Sequence, residues 1–156
     1  MTTSPVSSEP NGRIQRDRVY FGLMVAAFGF LVFIFGAKPE WFGQDRSPVV
    51  GFVQITVFLI GLAFLCLGGY ISLAALWNGR EKTIAADIGL RLISTGYVIA
   101  VFTGMADIFG ATIADTPKVP YFGPWQAIGV QIGMALIALG MILVVPPGRE
   151  KEERTS

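Results

Sequence analysis

Few side chains in this sequence could carry out chemistry, and the missing ones narrow the field most. The 156 residues include no histidine and one cysteine, Cys66. Haem b ligation and most zinc or non-haem iron centres call for imidazole or several thiolates. Neither a metal centre nor any other cofactor is therefore expected. Cys66 sits inside an apolar run, where a lone thiol can form neither an internal disulfide nor a redox pair; it reads as a small core residue. Ser72, Ser94, Thr95 and Thr103 have no histidine base, and the apolar stretches hold no lysine base or phosphate-binding glycine loop. Nucleophilic catalysis has little to build on, and an enzyme is not expected.

The candidate polar site is Asp107, with amide partners Gln54, Gln126 and Gln131 placed in the same half of the membrane. An ionised carboxylate at mid-span costs about 2.5–3.5 kcal/mol and less toward the interface, so a hydrogen-bond donor, a cation or a proton is expected beside it. Gln126 and Gln131 can donate, and Lys118 or Arg46 can reach down from the outer loops. Two roles follow. One is an interhelical hydrogen bond worth about 0.6 kcal/mol; the other is an outward-facing polar pocket for a cation, a proton or a small polar ligand. A second charged pair, Asp87 and Arg91, has i,i+4 spacing and reads as an interfacial ion pair worth a few tenths of a kcal/mol.

The elements that must position these residues follow from composition. Hydrophobic residues make up 53% of the chain and charged ones 15%, against about 25% charged in soluble domains, and the mean hydropathy is +0.59. A bilayer crossing takes about 20 largely apolar residues. Four stretches qualify, about 19–37, 51–77, 84–114 and 125–145, inside a domain spanning 13–146. The expected fold is an all-α, integral membrane four-helix bundle. Residues 1–12 form a Ser-, Thr- and Pro-rich tail expected to be disordered, and 147–156 form a charged tail. The first span exceeds a signal-peptide core and lacks a small-x-small cleavage site, so it reads as a mature helix.

Orientation follows the Lys and Arg count. Arg13, Arg16, Arg18, Arg80, Lys82, Arg91, Arg149, Lys151 and Arg154 fall on one side, and Lys38, Arg46 and Lys118 on the other. Nine against three places both termini in the cytoplasm and the protein in the plasma membrane. Trp41, Tyr121 and Trp125 are expected as outer interface anchors, Tyr20 and Trp77 as inner ones. The third stretch, about 31 residues, exceeds the hydrocarbon thickness, so its first two turns, carrying Asp87 and Arg91, should project into the inner interface. With no basic block, nothing points to nucleic acid.

Small residues recur at seven-residue spacing. Gly22, Ala26, Gly29 and Gly36 share a stripe of the first helix, Gly61, Gly68, Ser72 and Ala75 one of the second, and Gly96, Ala100, Thr103 and Gly104 one of the third. In lipid, helices associate where small residues let backbones approach, so these stripes are packing faces. The fourth helix carries two: Gln126, Gly129, Gly133 and Gly140 on one side, Ala127, Gln131, Ala135 and Ala138 on the other. One should pack internally and the other should meet a second copy or another subunit. The two halves also echo one another. Gly22, Gly29 and Gly36 align with Gly96, Thr103 and Gly110 at an offset of 74, and Gln54, Gly61 and Gly68 with Gln126, Gly133 and Gly140 at 72, as in two parallel helical hairpins.

The functional expectation is a non-enzymatic accessory or structural subunit, partnered by the bilayer and by a homo-oligomer or larger membrane complex. The alternative is a small transporter or channel component with its polar pocket at Asp107. Asp107→Asn separates them. A structural acceptor tolerates the isostere with unchanged thermal stability, whereas an ion or proton site loses the pH or ion dependence of its transport.

Overall fold

The computed structural model describes residues 11–38, 41, 43, 51–77, 80–106 and 123–146. Among them the chain is all-α, with helices α1 (Asn11–Ala37), α2 (Phe52–Leu76), α3 (Ile84–Gly104) and α4 (Pro124–Val144) and no strand. Each helix contains a stretch long and apolar enough to cross a membrane: Gln15–Ala37, Val53–Leu76, Ile84–Gly104 and Pro124–Val144. The shortest have 21 residues. At about 1.5 Å per residue, that is roughly the 30 Å of a hydrocarbon core. Asp107 and the loops 44–50 and 107–122 lie outside the described residues, as do the tails 1–10 and 147–156.

Two boundaries differ from those the apolar runs suggest. α1 begins at Asn11, eight residues before its apolar run, because the polar lead-in contains good helix formers and hydrophobicity marks the membrane crossing rather than the helix. α3 closes at Gly104 and not near 114: Met105 leaves the helical region at φ −103°, ψ 14°, and the Ala106 N–H bonds back only three residues, to the Thr103 carbonyl at 3.4 Å. Its 21 residues match the bilayer without the overrun expected for it. At the other end, Thr83 Oγ1 accepts the Ala86 N–H at 3.3 Å, a side-chain cap, and Asp87 in the first turn favours the positive end of the helix dipole.

The helices form two antiparallel hairpins, α1 with α2 and α3 with α4, and the hairpins meet mainly where α2 leans on α3 and α4. Within each hairpin the backbones touch. A methyl group built on Gly29 would lie 2.5 Å from the Leu65 nitrogen, and one on Gly22 2.6 Å from the Ser72 nitrogen. In the second hairpin a methyl on Gly96 would lie 2.5 Å from the Gly133 carbonyl oxygen, and one on Gly133 equally near the Gly96 oxygen. Reciprocal approach of this kind points Cα–H groups at facing carbonyls. Gly61, Gly68 and Gly140 are equally enclosed, and Ala100 is fully buried. Between the glycine steps of the first hairpin, aromatic pairs fill the seam: Phe28 meets Phe64 edge-on at 5.7 Å, and Phe33 meets Phe58 at 4.6 Å. Outward residues stay apolar, Met24 being 73% exposed and Phe102 60%, as lipid-facing surface should.

The facing pairs also fix how the halves correspond. Gly22 faces Ser72 and Gly29 faces Phe64 and Leu65; Gly89 faces Val144 and Gly96 faces Leu136 and Ile137. α1 therefore maps onto α3 at an offset of 67, while α2 maps onto α4 at 72. The offset of 74 expected for the first pair is one heptad out. A stripe repeating every seven residues matches itself after a shift of seven, so only cross-helix contacts settle the register. At the corrected offsets Gly22-Leu23, Gly29 and Phe35 align with Gly89-Leu90, Gly96 and Phe102. Gln54, Ile60-Gly61, Ala63 and Leu67-Gly68 align with Gln126, Ile132-Gly133, Ala135 and Leu139-Gly140.

Replacing Gly29 or Gly133 with Leu should cost at least the roughly 1–3 kcal/mol typical of overpacking and lower the thermal midpoint in detergent by several degrees. Gly104→Ala is the control. The nearest atoms to its added methyl lie 3.5 Å away, an ordinary contact, so its midpoint should hold or rise.

Candidate functional site

The contact between the hairpins is built differently from the seams within them. Leu59, Leu62 and Cys66 of α2 join Ile93 and Ala100 of α3 and Ile137 and Val144 of α4 in one buried cluster, with Tyr97, Met134 and Met141 packed against it. Side chains rather than backbones meet here, so the attachment is looser. Two directional bonds pin it. Tyr97 Oη donates to the Leu59 carbonyl at 3.4 Å, and Trp77 Nε1 donates to the Val144 carbonyl at 2.9 Å. Trp77 is 4% exposed. It is thus no interfacial anchor, as its position beside a charged loop suggests, but a clamp between the C-terminal ends of α2 and α4. Because those ends lie together, the hairpins run parallel. Tyr20, Trp41 and Trp125 are exposed.

Toward the opposite end α1 and α4 stand apart, leaving a cleft of about 240 Å³. Gly36 and Ala37 of α1 form one edge and Ala127, Val130 and Met134 of α4 the other, over a floor of Ile55, Phe58 and Leu59. Gln54 and Gln131 both line it, so two of the four residues in the candidate polar site come together. Gln54 is the third residue of α2 and Gln131 the eighth of α4. Neither amide has a hydrogen-bond partner among the described residues. The cleft is otherwise apolar and no charged side chain is among its described lining.

Gln126 is elsewhere and already committed. Its Oε1 accepts the Gly123 N–H at 2.7 Å, closing the first turn of α4, which opens with Pro124. Only this half of a capping box can form, since glycine has no side chain to return the bond. The remaining candidate, Asp107, lies outside the described residues.

Arg91 Nη2 lies 3.2 Å from Asp87 Oδ2, with the two side chains 80% and 60% exposed. Polar links inside the first hairpin are also structural: Ser72 Oγ donates to the Val19 carbonyl at 3.3 Å, and Gln15 Nε2 to the Ala75 carbonyl at 2.8 Å. Among the described residues no three carboxylate, thiol or imidazole groups gather as a metal site would require.

Sequence reading missed Trp77, Tyr97 and Leu59 as the junction, because it assigned α2 and α3 one packing stripe each. The available signal was the seven-residue series Ile55, Leu62 and Gly69 with Leu59 and Cys66 on the second face of α2. That series is apolar like its lipid-facing neighbours, so periodicity alone does not single it out.

Comparison with protein families, curated proteins and solved structures gives no match to this chain. Its described residues define the class: all-α, with four helices each able to span a bilayer, consistent with a multi-pass membrane protein.

Trp77→Phe keeps an aromatic side chain, though a smaller one, and removes the indole N–H that bonds to Val144. It should lower stability in detergent by about 1 kcal/mol without changing helix content, measured by chemical or thermal unfolding followed by circular dichroism.

Proposed function

We propose that this protein is a non-enzymatic accessory or structural subunit of the plasma membrane, assembling with a second copy or a larger membrane complex through the outer face of α4. The observation that carries the reading is how α4 divides its two small-residue faces. One, with Gly129, Gly133 and Gly140, is spent inside the hairpin against Thr103, Gly96 and Gly89. On the other, Gln131, Ala135 and Ala138 are exposed. Small side chains toward lipid gain little there, but they let another helix approach closely. The face opposite α2 on α1 carries bulky Phe21, Met24 and Leu31, suited to lipid and not to a helix contact.

In this reading both termini are cytoplasmic. The antiparallel hairpins bring Arg16, Arg18, Arg80, Lys82 and Arg91 to the end where α1 begins, while Lys38 stands at the other. A cytoplasmic position for the basic end is what the charge asymmetry favours.

With Cys66 replaced by alanine, Ala135→Cys in native membranes should give an intermolecular disulfide or a thiol crosslink to a partner. Met24→Cys, on the bulky face of α1, should give none. A chain that stays monomeric at Ala135 under oxidation and elutes alone after mild solubilisation would sink the proposal. Orientation is read separately: a fluorescent protein fused to the C-terminus should fold and emit, and alkaline phosphatase fused there should be inactive.

A further inference from the structure

The cleft takes on meaning when the two halves are compared at the offsets their contacts define. At 67 for α1 and α3 and 72 for α2 and α4, Ala37 corresponds to Gly104, Ile55 to Ala127, and Leu59 to Gln131. At one of the two equivalent junctions between the hairpins, α3 with α2, these positions are in contact: a methyl on Gly104 would lie 3.5 Å from both Ile55 Cγ2 and Leu59 Cδ1. At the other, α1 with α4, their counterparts Ala37, Ala127 and Gln131 stand apart as walls of the cleft. A helix contact made once is thus missing at its second position. At the same place the apolar Leu59 gives way to an amide.

The chemistry of the walls selects the occupant. The described lining carries no charge, and none of its side chains selects an ion or an ionised headgroup. Its polar groups are two amides without hydrogen-bond partners, Gln54 near the helix ends and Gln131 deeper by five helical positions, or about 7 Å. Each can donate N–H bonds to a neutral acceptor. The remaining wall accepts an alkyl chain. A glycerolipid has that form: ester carbonyls near the boundary of the hydrocarbon core, which a long amide side chain can reach, continuing into acyl chains. It is also the most abundant solute around the helices.

We propose that one glycerolipid of the bilayer occupies the cleft between the hairpins, an acyl chain lying against Phe58, Val130 and Met134 and its ester carbonyls accepting from Gln54 and Gln131. The lipid then fills the place of the α1–α4 contact that would match the one α3 makes with α2.

The test uses the full chain reconstituted in phosphatidylcholine vesicles containing a trace of the same lipid with a diazirine on its acyl chain. After irradiation, adducts are mapped by peptide mass spectrometry. They should be denser on Phe58 and on residues 130–134 than on the lipid-exposed face of α1 at Phe21 and Met24. Gln54→Leu or Gln131→Leu should each reduce cleft labelling about threefold and the double variant about eightfold, as expected for one or two weak hydrogen bonds in a membrane. Labelling of α1 and the circular dichroism should not change. Ala127→Phe, which fills the cleft, should remove its labelling. Cleft labelling no denser than on α1, or unaffected by the double glutamine variant, overturns the proposal; so does an unlabelled cleft, the result of α4 closing onto α1.

Discussion

Everything in this molecule rests on how closely two helical backbones can approach in lipid. Lipid tails are as apolar as the side chains they would replace, so burying leucine against leucine gains little, and association must come from dense van der Waals contact and hydrogen bonds. Glycine supplies the first by removing the side chain that would hold the backbones apart. Gly22, Gly29 and Gly36 face α2, and Gly61 and Gly68 face α1, each too tightly for a methyl group. Seven-residue spacing keeps these notches on one side of a helix and suits the shallow crossing common in bundles. Because glycine costs about 1 kcal/mol of helix propensity, a stripe of it implies a packing gain that offsets the loss.

The same constraint explains the hierarchy of contacts. Each glycine stripe serves one partner, and each helix has already turned its stripe toward its hairpin neighbour. Hairpin-to-hairpin contact is left to the bulkier Leu59, Leu62, Cys66, Ile93 and Ile137, reinforced by bonds from Tyr97 and Trp77. Bulky contacts hold the axes farther apart, and the cleft opens where even these give out. The hairpin is the unit of close packing, and the pair of hairpins is a looser assembly around α2.

Much of this could be read before any coordinates. Hydrophobic run length locates four spans because the bilayer fixes the length a helix needs, and small-residue periodicity locates the seams because lipid leaves few other ways to pack. Three things could not be read. The end of α3 at Gly104 falls inside an apolar run that continues past it, so hydropathy carries no boundary there. The true alignment of α1 with α3 hides behind the self-similarity of a heptad stripe. Trp77 has the composition and place of an interface anchor, and only its bond to Val144 shows that it faces inward. Of the candidate polar residues, position along the helix was enough to group Gln54 with Gln131. It could not show that Gln126 closes its own helix turn, since its acceptor atom is taken by Gly123.

The repeat makes the difference between α2 and α4 informative. Their hairpin-facing glycines coincide, Gly61 with Gly133 and Gly68 with Gly140, so the two helices are interchangeable as partners within a hairpin. Their other faces have diverged: Ile55, Leu59, Leu62 and Cys66 in α2 correspond to Ala127, Gln131, Met134 and Ala138 in α4. The α2 set is large and apolar and fills the junction, leaving Leu59 and Leu62 buried. The α4 set is smaller and contains an amide, so the same surface cannot close the bundle a second time. One pattern of substitution therefore accounts both for the unfilled cleft beside Gln131 and for the low-relief surface of Ala135 and Ala138 farther around α4. The face of α4 turned away from its glycines is thus the one on which the two halves of the bundle differ most.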